Sequence, residues 1–262
     1  MKLWVHLMFP FAAQAAAVTV SLNPVADAFV TSGSAVMGAG NPSSNYGAAG
    51  ALQVSAPGSD KGEMQSLLRF NLSGAKATFD NTFGANQWTI RSIKLQLSTN
   101  FGTQSSQPNN PIFNSINGGL FTINWQANDN WIEGTGKPAS PATDGVTFNT
   151  LGSFESAADR SLGTFTYTPV GNTDPPEVPP ATYTLALDAS LVADVMAGNL
   201  VSIRIFAADA GVSYQFNSHD YTTYDNWPVL NVDVVPEPDA MALFVGAAGI
   251  LCAGRWNDVR QA

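Results

Sequence analysis

Cysteine is nearly absent from this chain. The only one in 262 residues is Cys252, inside an apolar run close to the C-terminus. The long region ahead of it therefore has no disulfide and no thiol chemistry, and its stability must come from a packed core or a bound ion. Histidine is almost as scarce, with His6 and His219 alone. That excludes a zinc centre built from several His and Cys ligands. A Ser-His-Asp triad would have only His219 to use, and no Gly-x-Ser-x-Gly elbow precedes it. Charged residues make up only 12% of the chain, yet 45% is apolar, which excludes a disordered chain. Basic residues are the scarcer sign. Residues 18–235 hold eight of the eleven Lys and Arg against seventeen of the twenty carboxylates. A domain this acidic repels nucleic acid and other polyanions, while it tolerates neutral glycans and suits calcium.

Helical periodicity is also in short supply, and strand alternation fills its place. Leu68, Phe70 and Leu72 alternate with Leu67, Arg69 and Asn71. The same period of two runs through Ile93, Leu95 and Leu97, through Val201, Ile203 and Ile205, and through Leu230, Val232 and Val234. Further strands are predicted at 27–31, 51–55, 120–125, 146–148, 162–167 and 182–187, separated by Gly, Pro and Asn clusters. One short helix is predicted at 188–199. Asp188 caps it, Leu191, Val192, Val195 and Met196 form its stripe, and Gly198 ends it. The sum predicts an all-β chain, an antiparallel jelly-roll-like β-sandwich with a short helix. Two irregular stretches, 102–119 and 169–181, read as surface insertions.

The two ends have a different character. Met1-Lys2, the apolar run Leu3 to Ala13 and Ala13-Gln14-Ala15 are the parts of a secretory signal over 1–17. At the other end, Pro236-Glu237-Pro238 precedes the apolar run Ala240 to Gly254, then Arg255, Trp256 and Arg260. An apolar helix closed by Arg and Trp suits a C-terminal transmembrane anchor. Tripeptide, helix and basic end together resemble the PEP-CTERM sorting signal, over 235–262. The resemblance implies export by a Gram-negative bacterium, an exosortase-type membrane protease as partner, and a place at the cell surface or in the extracellular matrix. Asp258 separates Arg255 from Arg260, so release after cleavage and lasting membrane anchorage both stay open.

The region 18–234 between them resembles the DNRLRE domain, a relative of carbohydrate-binding modules. The segments that carry the resemblance are Ala26-Asp27-Ala28-Phe29-Val30, Asn41-Pro42-Ser43-Ser44-Asn45-Tyr46-Gly47, Ser66-Leu67-Leu68-Arg69-Phe70-Asn71-Leu72, Asn130-Trp131-Ile132-Glu133-Gly134 and Ser218-His219-Asp220. It implies a jelly-roll fold and non-catalytic association with extracellular polysaccharide.

Glycan binding needs exposed aromatic faces beside polar side chains. Tyr46, Trp125, Trp131, Tyr221 and Tyr224 are the candidates, with core packing the alternative for each. Arg69 is a further candidate. It leaves the sheet on the face opposite Leu68 and Phe70, where a carboxylate such as Asp27 or Glu133 is an expected partner. Asp129, Glu133, Asp220 and Asp225 are candidate oxygen ligands for a structural calcium, with solvated loop acids the alternative. His219 reads as a loop residue between strands. A purely structural matrix or adhesion role is the second reading. A polysaccharide hydrolase or lyase is a third, since a glycosidase needs only two carboxylates.

Overall fold

The computed structural model describes residues 16–33, 40–99, 119–167, 180–222 and 226–237. The period-two segments form two antiparallel sheets. With strands numbered along the chain, the smaller sheet runs β1 (Val18–Leu22), β11 (Val229–Pro236), β5 (Trp88–Leu97) and β8 (Ala181–Leu185). The larger runs β10 (Ser213–Asn217), β3 (Ala51–Ser55), β4 (Met64–Asn71), β9 (Leu200–Ala207), β6 (Gly119–Gln126) and β7 (Arg160–Tyr167). In it β4 also pairs with β2 (Ala26–Thr31).

The predicted inward faces are the ones that meet. Leu95 and Ile93 of β5 stand opposite Leu230 and Val232 of β11, and Leu68 of β4 opposite Ile203 of β9. These side chains fill one core between the sheets, with Phe121, Tyr167, Tyr183, Tyr214 and Phe216. That contact makes the molecule a β-sandwich. Helix α3 (Ala189–Ala197) forms as predicted. Asp188 accepts a hydrogen bond from Ser190 N at 2.8 Å, and Gly198 closes the helix at φ 72°, a conformation that favours glycine.

Three local expectations change. The segment 146–148 is not a strand. Thr147 caps the short helix α2 (Phe148–Leu151) through a reciprocal pair of bonds with Thr150, so its β-branched residues serve a helix start. A second full helix, α1 (Ser73–Phe83), buries only Ala75 and Phe79, too thin a stripe to show as periodicity. And β4 is buried on both faces rather than one, Leu67 as completely as Leu68. The cover over Leu67 is a second, smaller core on the outside of the larger sheet. Ala26, Ala28, Val30 and Leu67 pack there against Trp131, Val146 and Leu151. The expected transmembrane helix lies outside the described residues. Among those described, no helix is long and apolar enough to cross a membrane.

Candidate functional site

The segment that covers Leu67 has little regular structure, so something must fix its backbone. Asn45 does so. It is fully buried, and its Nδ2 donates to Glu133 O at 2.5 Å and Val146 O at 2.9 Å. Its Oδ1 accepts from Gly47 N at 3.0 Å and Gly136 N at 3.2 Å. Its own N–H donates to Ala142 O at 2.7 Å. The fit leaves no room for side chains around it. A Cβ on Gly136 would stand 1.8 Å from Asn45 O, and Gly134 has φ +77° besides lying against the Asn45 amide. Arg69 holds the same segment from the sheet side. Its Nη1 donates to Asp129 O and Trp131 O, both at 2.8 Å, and the guanidinium lies 4.8 Å from the Trp131 ring centre.

Positioned in this way, Glu133 meets Asp27 from β2 and His219 from the loop after β10. Glu133 Oε1 accepts the Asp27 N–H at 2.7 Å, and Asp27 Oδ2 accepts the His219 N–H at 2.7 Å. The imidazole Nδ1 lies 3.2 Å from Asp27 Oδ2 and 3.4 Å from Glu133 Oε1. Neither approach has hydrogen-bond geometry, and Asp27 Oδ1 is buried without a partner. The three ligand atoms lie within 4.8 Å of one another. Asp27 is fully buried, whereas the His219 and Glu133 side chains keep about a quarter of their exposure. The close contact with the Asp27 carboxylate, then its charge and those of Glu133 and Asp220, push His219 up to about 9 against the opposing effect of burial. Burial pushes Asp27 and Glu133 upward, and the imidazole opposes this on both.

Beside the cluster lies an open depression of about 710 Å³. Arg69, Asp129, Asn130, Glu133, Thr135 and Asp144 supply its polar lining. Val25, Ile132 and Leu200, all exposed, supply apolar patches. Thr135 donates from its N–H and its hydroxyl to the Asp144 carboxylate at 3.0 and 2.8 Å, which holds Asp144 below the usual carboxylate range. Burial raises Asp129, with Ser202 opposing. One guanidinium among three carboxylates leaves the lining acidic, a poor host for a polyanion and a compatible one for hydroxyl donors.

The aromatic candidates are placed as follows. Tyr46 is buried, stacked on Phe29 at 4.7 Å, and its hydroxyl accepts from Asn41 N. Trp131 is buried and donates from Nε1 to Ser202 Oγ at 2.9 Å. Trp125 is half-buried against the main core and donates to Asp194 Oδ2 at 2.9 Å. Tyr221 is half-buried, and its carbonyl accepts from Trp227 Nε1 at 2.8 Å. Tyr224 and Asp225 lie outside the described residues, as do Pro238, Arg255 and Arg260. Pro236 ends β11 opposite Trp88, and Glu237 N donates to Gln87 O at 3.0 Å. Arg69 leaves the sheet on the expected face, but Nη1 takes backbone carbonyls instead of a carboxylate, because the irregular 129–131 segment lies against it.

Of the calcium candidates, Glu133 joins the three-residue cluster, and Asp220 Oδ1 lies 3.8 Å from His219 Nε2. Asp129 lies along the depression instead. Sequence reasoning passed over Asp27 and Asn45 as site residues and took His219 for a plain loop residue. The signal was present in the resemblance segments, which supply Asp27, Asn45, Glu133 and His219 from four separate stretches.

Residues 18–128 match the model of carbohydrate-binding module family 96. The matched stretch contains β1 to β6, and with them Asp27, Asn45 and Arg69. No curated protein matches the chain.

Proposed function

We propose that the protein is an exported surface or matrix component that associates non-covalently with a neutral extracellular polysaccharide. The match of residues 18–128 to a carbohydrate-binding module family carries this reading. The depression beside Arg69 supports it, since hydroxyl-rich ligands with apolar ring faces suit a lining of amide, carboxylate and exposed aliphatic groups. The sandwich at 18–234 is read as jelly-roll-like, and binding needs no catalytic group.

On the same proposal, 1–17 directs export and 235–262 sorts the chain through an exosortase-type protease and a transient or lasting membrane anchor. The mass and N-terminal sequence of the protein recovered from its native envelope test this part. We expect a start after Ala15 or Ala17; a chain beginning at Met1 would contradict export by that leader.

Affinity electrophoresis against a panel of neutral and acidic polysaccharides tests the binding. Retardation by a neutral polymer, weakened at least about fivefold by Asn130→Ala combined with Asp144→Ala, is the expected result. A second reading, a structural matrix protein without a defined ligand, draws on the burial of Tyr46 and Trp131. It predicts no retardation by any polymer.

A further inference from the structure

The arrangement of Asp27, Glu133 and His219 exceeds what a structural ion pair requires. Nδ1 stands 3.2 and 3.4 Å from two carboxylate oxygens, without hydrogen-bond geometry to either. Ligands about 2.0–2.1 Å from a tetrahedral metal lie about 3.3–3.4 Å from one another. The two contacts match those edges. The two carboxylate oxygens nearest Nδ1 are each also held by a backbone N–H, Asp27 Oδ2 by His219 and Glu133 Oε1 by Asp27. Those bonds fix the oxygens in place as outer-shell partners fix metal ligands.

A second observation points the same way. Asp27 Oδ1 is buried with no partner, in a side chain fully removed from water. A buried carboxylate oxygen left unpaired is costly, and a cation beside it removes the cost. On the far side of the ring, Asp220 Oδ1 lies 3.8 Å from Nε2, outside direct hydrogen-bond distance.

We propose that Asp27, Glu133 and His219 form a site for one late first-row divalent cation, of which zinc is the test case. The donor set selects the ion class. An imidazole nitrogen suits zinc and its neighbours, whereas calcium takes oxygen alone. A dication balances two carboxylates and a neutral imidazole. The partial exposure of His219 and Glu133 leaves a fourth position for water. The ion would join segments separated by 106 and 192 residues from Asp27, which is a staple for a domain without disulfides.

The experiment uses the full untagged chain carrying His6→Ala, so that His219 is the only imidazole. After chelator treatment, zinc titration is followed by calorimetry and by thermal midpoint. One equivalent bound, a raised midpoint, and a loss of at least about 100-fold in affinity for His219→Asn and for Glu133→Gln are expected. Asp144→Asn, in the depression but outside the cluster, retains the affinity. No zinc uptake by the parent chain overturns the proposal, as does unchanged affinity in His219→Asn. If the variants do not fold, X-ray absorption of the zinc-loaded parent decides. Imidazole scattering supports the site, and its absence overturns it. Glycan binding is read separately, so failure of one leaves the other standing.

Discussion

Asn45 shows how one side chain can set a site it does not enter. Its amide bonds hold Glu133 O, Val146 O, Gly47 N and Gly136 N, and all of them are lost together on truncation. Asn45→Ala leaves buried carbonyls and amides unpaired, and we expect it to cost about 2–4 kcal/mol in urea denaturation. Asn45→Asp removes the two donors while keeping Oδ1, so it should recover little of the loss. Recovery to near the parent value would mean that the amide donors matter less than the geometry indicates. The residue scale is also where sequence reading reached least far. Asn45, Asp27 and His219 look like loop and strand polar residues until the chain folds, because their partners are remote in sequence. For Tyr46 and Trp131 the sequence left exposure and core packing both open. The fold buries both, Trp131 in the outer core over β4 and Tyr46 against Phe29. Alternation could show that Arg69 leaves the sheet, but not that the irregular 129–131 segment meets it there with carbonyls.

Among the elements, α1, α2, β1 and β10 were not predicted, and for α1 Asp80 explains how the helix is held. Its carboxylate forms an ion pair with Lys76 one turn earlier, and it accepts from Trp88 Nε1 at 2.9 Å, which ties the helix to β5. Asn86 N donates to the same carboxylate. The Lys76 contact, then the Trp88 and Asn86 bonds, lower Asp80 to about 2. A depressed carboxylate stabilises the fold above its unfolded value near 3.8, and that contribution is lost as pH falls through about 2. Thermal midpoints from pH 6 to pH 2 should therefore fall less steeply below pH 4 in Asp80→Asn than in the parent. Identical slopes would rule out the ionised link. The strands were legible because half-buried sheets repeat every two residues, and the inward sets of β5, β9 and β11 were read correctly. The outer core was not legible. It rests on an irregular segment, 127–159, whose apolar residues follow no period and are fixed by side-chain bonds to its backbone.

For the whole molecule, two sheets around one core provide the platform, and the outer core adds a shaped surface to one face of it. That surface brings together the acidic depression and the Asp27–Glu133–His219 cluster. The last described strand ends at Pro236, the first residue of the proposed sorting tripeptide, and Glu237 N bonds to Gln87 O. This organisation suits the proposed contact with glycan through one face of the sandwich.

Glycan contact is the central claim, and affinity electrophoresis in neutral polysaccharide gels tests it most directly. We expect retardation by at least one neutral polymer, lessened when Asn130 and Asp144 are both replaced by alanine. Unretarded migration in every polymer of the panel would contradict it.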